Sequence, residues 1–282
     1  MKKIILNLLI LSTLVLTGCF KKEPILEIRM KKGIEATFDV ANNKWHTGTL
    51  EINDVSSSGT KYLKEKYTTI NGLNDGLYEV FFENGQLLSK ETFKIGELNG
   101  PAEFYYENGQ VLVKGTYKMN EIDGLTKSYY NTGQLLTNKT FKMGQLDGLY
   151  ESYYENGQLK TKKTYKMGEK DGLYESYYKN EQLKVKETYK MGQLDGPTES
   201  YYENGQVSLK GTYKTGIPDG LIEQFSYNGK PLSKRTFKMG EKDGPTEYYH
   251  ENGQVRLKIT YKRGRLVGSR KEYYENGQLK QK

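Results

Sequence analysis

Along LKTKKTYK, from Leu159 to Lys166, Leu159, Thr161 and Tyr165 fall on one side of a period-two pattern and Lys160, Lys162 and Lys166 on the other. That alternation predicts a β-strand, whose successive side chains face opposite sides. LYESYY, from Leu149 to Tyr154, is similarly rich in rings, and Asn156-Gly157 lies between the two runs. Asn-Gly in that position predicts a hairpin with a two-residue type I′ turn, both central residues at positive φ. The resulting register pairs Tyr154 with Leu159, Ser152 with Thr161 and Tyr150 with Lys163 on one face. On the other it pairs Tyr153 with Lys160, Glu151 with Lys162 and Leu149 with Thr164.

The pattern returns every 24 residues, with Asp-Gly or Asn-Gly at Asp75, Asn99, Asp123, Asp147, Asp171, Asp195, Asp219 and Asp243, and Gly268 in the last copy. A fixed period of this size predicts supersecondary units stacked in a row. Asp171-Gly172 supplies turn chemistry to the connecting MGEKDG segment, so successive hairpins pair edge to edge. The expected fold is all-β: an elongated single-layer antiparallel β-meander of about nine hairpin repeats over residues 71–282, on the order of 85 Å long at ~4.8 Å per strand. Such a ribbon twists, and it should curl toward its aromatic face.

The copies distinguish the two faces. The Tyr165 column repeats as Phe93, Tyr117, Phe141, Tyr189, Tyr213, Phe237 and Tyr261. With the Leu159 and Tyr154 columns it is expected to form a continuous core, the Tyr154 column lapsing at Ser226 and His250. The opposite face carries a glutamate file (Glu79, Glu103, Glu151, Glu175, Glu199, Glu223, Glu247) facing a lysine file (Lys90, Lys114, Lys162, Lys186, Lys210, Lys234, Lys258). Exposed pairs of this kind contribute little energy and serve to fix register. Residues 19–70 fit the pattern poorly and read as a charged tether followed by degenerate capping strands, with Trp45 covering an exposed edge. The last strand reads as an open edge protected by its lysines.

Composition changes this picture in one respect. Only 35% of the 282 residues are hydrophobic and the net charge is +8, but 25 Tyr and 9 Phe supply buriable ring area that hydropathy undercounts. The N-terminus, MKKIILNLLILSTLVLTGCF, has two lysines, a short apolar run and small residues before Cys19, the single cysteine. This predicts a secretory signal over residues 1–18. Leu16-Thr17-Gly18-Cys19 resembles the bacterial lipobox, which implies lipidation of Cys19 and membrane attachment through it. The expected location is the cell envelope, and the outer membrane in a cell with two.

Candidate chemistry is sparse. His46 and His250 lie far apart, and no intramolecular disulfide can form. The evenly repeated acids lack the singular constellation that catalysis or a metal site needs. The expectation is no enzyme, no cofactor and no metal. Export and the glutamate file speak against nucleic acid. Two surfaces stand out as candidate binding sites. The first is the ring column Tyr105, Tyr129, Tyr153, Tyr177 and Tyr201, lying among lysine stems. The second is a run without acids, Arg256, Lys258, Lys262, Arg263, Arg265, Arg270 and Lys271, suited to an anionic partner.

Gly144 to Gly148 (G-x-x-D-G) and Tyr153 to Gln158 (YYENGQ), recurring in phase over about Gly72 to Gln278, resemble the MORN-repeat variant family, whose bacterial members include YwqK-like antitoxins. The resemblance implies an elongated sheet used as a binding or assembly scaffold. These units lack the Tyr-x-Gly start and following Trp of the eukaryotic MORN form. The expected function is a non-enzymatic surface or periplasmic lipoprotein that scaffolds contacts with a protein or glycan, with self-association through sheet edges as a further contact. The alternative is an antitoxin or immunity-type protein that neutralises a toxin by direct binding.

Overall fold

The computed structural model describes residues 26–31 and 34–281, and every regular element among them is a strand. From Gly48–Val55 to Arg265–Glu272 the strands form one antiparallel meander in which each pairs with its neighbours in sequence. Circular strand order would bring Arg265–Glu272 beside Gly48–Val55. No ladder joins them among the described residues, since each pairs with a single neighbour. Among the described residues the sheet therefore ends in two edge strands, and the second is met only at Glu272, whose carbonyl accepts the Lys280 N–H at 2.8 Å.

In the unit beginning at Asp147, strand Gln145–Tyr153 pairs with Leu159–Lys166 in the expected register from Leu149↔Thr164 to Ser152↔Thr161. Nearer the tip the register shifts and Tyr153, not Tyr154, faces Leu159. The cause is the turn. The Tyr154 N–H donates to the Gln158 carbonyl at 2.8 Å and the Gly157 N–H to the Tyr154 carbonyl at 2.9 Å, while only Gly157 takes positive φ, at 86°. This is a three-residue loop with a glycine bulge rather than the two-residue type I′ turn expected at Asn156-Gly157. Asn156 holds it by accepting the Gln158 N–H on Oδ1 at 3.1 Å, an Asx arrangement.

The type I′ turn sits at the other end of the hairpin. Lys166 pairs with Glu169, leaving Met167 (φ 49°) and Gly168 (φ 83°) as its two central residues. The Gly168 N–H donates to the Leu146 carbonyl at 2.8 Å and the Met167 N–H to Asp147 Oδ2 at 3.2 Å. The Asp-Gly dipeptide is thus not the turn. Asp171, Gly172 and Leu173 all lie opposite Thr164, between the pairs Tyr165↔Lys170 and Lys163↔Tyr174, so the glycine marks a bulge inside a strand. At the equivalent Gly148, φ is 117° and a Cβ would stand 3.1 Å from Thr140 Cβ. A side chain there would be strained twice over.

Side-chain direction follows the expected alternation: Leu159, Thr161, Lys163 and Tyr165 are half-buried, and Lys160, Lys162, Thr164 and Lys166 are exposed. The core is nevertheless not the continuous row of rings the columns suggested. Ala102 (1% exposed), Thr246 (0%) and Ile222 (4%) are buried, with Ser89 and Ser233, whereas the Tyr165 column is only half-buried throughout. A single layer has no second sheet to cover large rings, so they lie against one another and over small residues. Tyr150 and Tyr165 have centroids 6.0 Å apart, and Tyr174 and Tyr189 6.2 Å, within the range of favourable ring contacts.

At the N-terminal end, the segment read as a tether contributes strand Leu26–Lys31, paired with Ile34–Asp39, which pairs in turn with Lys44–Trp45. This small sheet docks on the turn at Asn71-Gly72: the Thr37 N–H donates to the Gly72 carbonyl at 2.8 Å and the Gly72 N–H to the His46 carbonyl at 2.5 Å. Trp45 packs edge-on against Phe38 at 5.2 Å and lies against Gly72, where a Cβ would approach it to 2.7 Å. It covers a turn rather than a strand edge. Cys19 and the signal segment lie outside the described residues.

Candidate binding face

The glutamate and lysine files form one row across the sheet. Register partners run Glu51↔Lys66↔Glu79↔Lys90↔Glu103↔Lys114 and, beyond Asn138, Glu151↔Lys162↔Glu175↔Lys186↔Glu199↔Lys210↔Glu223↔Lys234↔Glu247↔Lys258. Ion-pair distances along it range from 3.9 Å for Lys162 and Glu151 to 2.6 Å for Lys258 and Glu247. Between the halves, Lys127 stands where glutamate is expected and Asn138 where lysine is expected, so Lys127 faces Lys114 on one side and Asn138 on the other.

The ring column assigned to binding lies on this face, side by side in successive units. Its hydroxyls are committed to the glutamates: Tyr105 donates to Glu103 at 2.5 Å, Tyr153 to Glu151 at 2.9 Å, Tyr177 to Glu175 at 3.0 Å, and Tyr201 to Glu199. Partial burial, then the hydrogen bond to the carboxylate, push Tyr105, Tyr153 and Tyr201 up to about 12 and raise Tyr177. All five rings are half-buried, and in four of them the hydroxyl is already engaged. Tyr129 is the exception among the five. Lys127 replaces its glutamate, and its hydroxyl has no protein acceptor among the described residues.

The Tyr154 column performs a task that the sequence did not disclose. Five of its hydroxyls reach the backbone carbonyl 23 residues on: Tyr106 to Tyr129 at 2.8 Å, Tyr130 to Tyr153 at 2.9 Å, Tyr154 to Tyr177 at 2.8 Å, Tyr178 to Tyr201 at 2.9 Å and Tyr202 to Phe225 at 2.9 Å. His250, read as a lapse, keeps the tie through Nε2 to the Tyr273 carbonyl at 2.9 Å. The turn asparagines add parallel ties, as in Asn180 to Glu203 at 2.9 Å. Neighbouring tips are therefore held in fixed relation, which makes the face between them a rigid surface.

The basic run near the C-terminus is less free of acid in space than in sequence. Strand Glu241–Tyr249 brings Glu247 to Lys258 at 2.6 Å and Asp243 to Lys262 at 3.1 Å, and Glu272 meets Arg270 at 2.6 Å. Arg256, Arg263, Arg265 and Lys271 are exposed without such a partner among the described residues. The opposite long border of the sheet carries the type I′ turns and a row of exposed apolar side chains: Ile95, Met119, Met143, Met167, Met191 and Met239, each 61–73% exposed. Their shared turn position was legible in the 24-residue phase, but a connecting loop gave no reason to expect them in a row. Among the described residues no group of His, Cys, Asp or Glu has a metal-holding arrangement.

Comparison with known families adds one match. A family model described as MORN repeat variant covers residues 74–94, 98–119, 122–143, 146–167, 170–191, 194–215, 242–263 and 266–282, more than half of the chain. The unit it omits, between residues 215 and 242, forms the same hairpin from strands Gly220–Phe225 and Pro231–Lys238. No curated protein matches the chain.

Proposed function

The chain belongs to the MORN repeat variant family, and from that premise we propose that it is a non-enzymatic, lipid-anchored scaffold of the cell envelope whose sheet face engages a protein or glycan partner. The observation that carries this reading is the regularity of the face: apart from the break at Lys127 and Asn138, the row from Glu51 to Lys258 repeats one charge pair unit after unit, with the tips locked by tyrosine hydroxyls. A repeated, pre-ordered surface lowers the ordering cost of binding and offers many equivalent contacts in a line. Reacting groups, in contrast, work as single constellations.

Attachment through Cys19 rests on the lipobox-like Leu16-Thr17-Gly18-Cys19 and the preceding apolar run. More than one acyl chain is needed for stable anchoring. The test is affinity capture from envelope and host-cell extracts with the chain immobilised through residue 19, beside protease treatment of intact cells. Recovery of a saturable partner supports the scaffold. Recovery of none, or rescue of growth from a co-expressed toxin with direct binding to it, replaces it with the antitoxin reading.

A further inference from the structure

We propose that the interruption of the charge row at Lys114 and Lys127 is a binding site for the anionic group of an acidic saccharide, a reading that rests on the scaffold function and names one ligand class for it. The other lysines from Lys66 to Lys234 each lie between two glutamates. Here Lys114 and Lys127 are direct cross-strand partners, a placement that like charges make unfavourable. Neither forms an ion pair among the described residues, and Asn138, the next partner of Lys127, brings no charge. Asn138 donates to Glu151 at 3.3 Å, while its Oδ1 is buried without a donor. The exchange of Glu for Lys and Lys for Asn therefore costs stability in the free protein, and local rules broken without compensation mark functional positions.

Three donors share one face of the sheet at this point. Lys114 Nζ lies 5.6 Å from the centroid of the Tyr129 ring, Lys127 is two residues before Tyr129 on the same strand, and the Tyr129 hydroxyl lacks the glutamate that its counterparts hold. An open depression of about 320 Å³ lies over the two lysines, its lining including Pro101, Glu103, Lys114, Thr116, Leu125 and Lys127. Two ammonium groups and a phenol form an anion site. The depression is too shallow to enclose a free ion, so recognition must extend sideways. Its lining includes a carboxylate, Glu103, which accepts from Tyr105 on one oxygen, and the Tyr129 ring lies beside it under Lys114 Nζ. Hydroxyls for the carboxylate, a flat body for the ring and an acid for the lysines are together the features of a uronic or sulfated sugar. The same Glu-to-Lys exchange recurs at Lys271 opposite Lys258, but Glu247 holds Lys258 at 2.6 Å, so one donor is spent there.

The test is calorimetric titration of the purified full chain with a hexameric oligogalacturonate, a sulfated heparin hexasaccharide, neutral maltohexaose and hexaglutamate. One or both acidic saccharides should bind, and the one that does identifies the anion as carboxylate or sulfate. Maltohexaose and hexaglutamate should bind at least tenfold more weakly. Lys127→Glu restores the alternation and returns an acceptor to Tyr129, so it should fold with an unchanged or higher Tm and yet lose tenfold or more in affinity. Tyr129→Phe should lose about threefold, and Lys160→Glu, which makes the same charge change at an exposed bulge elsewhere, should lose none. The proposal is overturned by binding of neither acidic saccharide, by equal affinity for maltohexaose or hexaglutamate, or by equal losses in Lys127→Glu and Lys160→Glu. Capture of the same envelope partner by Lys127→Glu and wild type would remove this site and leave the scaffold standing.

Discussion

Replacing Tyr154 by Phe removes one oxygen and keeps the ring, which isolates the tie between neighbouring tips. The hydroxyl donates to the Tyr177 carbonyl at 2.8 Å in a half-buried setting, and a bond of this kind contributes about 0.5–1.5 kcal/mol net. The hairpin tip itself should survive, because Phe82 occupies the equivalent position and keeps both turn hydrogen bonds, to Gln86 and Gly85, at 2.8 and 2.9 Å. Unfolding midpoints are a blunt instrument for a long repeat array whose cooperativity can break down, so the assay of choice is native-state hydrogen exchange. Amides around Tyr153 to Leu159 and Tyr177 to Leu183 should exchange about 2- to 13-fold faster, with distant tips unchanged. The reciprocal change, Phe82→Tyr, should protect the tip near Tyr105 by the same factor. Unchanged exchange in both variants, or loosening spread evenly along the sheet, would refute the idea that hydroxyls couple neighbouring units.

Ile222 is 4% exposed in a layer with few large buried side chains, so Ile222→Ala should cost ~2–5 kcal/mol in denaturant unfolding, whereas Lys162→Ala, an exposed partner at 3.9 Å, should cost under ~1 kcal/mol. Met167 holds φ at 49°, and Met167→Asn should raise stability by up to ~1 kcal/mol, because a side chain suited to the left-handed region relieves a penalty of about 1–2 kcal/mol; a fall in Tm would contradict the turn assignment. Tyr105, Tyr153 and Tyr201 keep their protons to about pH 12 in the folded chain, above the ordinary value near 10. Above pH 10 the unfolded chain releases protons that the folded chain retains, so this contribution is complete below pH 10 and drains away between pH 10 and 12. Denaturation midpoints that rise across that window would reverse the sign.

The period, the hairpins and the sidedness of Leu159 and Tyr165 were legible because each is a local pattern multiplied by repetition. The turns were not, because propensity was asked to choose between two dipeptides. Asn156-Gly157 has the better I′ composition, but Asn156 spends its carbonyl on the Gln158 N–H. Met167 is a poor left-handed residue, placed there by ladders on both sides that leave only two residues for the connection. The Asp-Gly pair resembled a turn for the same reason, while its carboxylate serves a turn twenty residues away. The buried identity of Ala102 and Thr246 and the tyrosine ties depend on register between units, which a single unit does not contain. The break at Lys127 was visible all along as paired gaps, at 127 in the glutamate file and at 138 in the lysine file. Only adjacency on the sheet turned two gaps into one place.

The ties from each tip to the next run between equivalent atoms, and so do the ladders on either side. Excising one 24-residue copy between two regular units would thus rejoin the backbone ladder and the tip tie it severed, as long as the cut falls in phase. Unequal recombination between repeated stretches of a gene produces such excisions and duplications. The protein's reach would then change in steps of roughly 10 Å, two strand widths at a time.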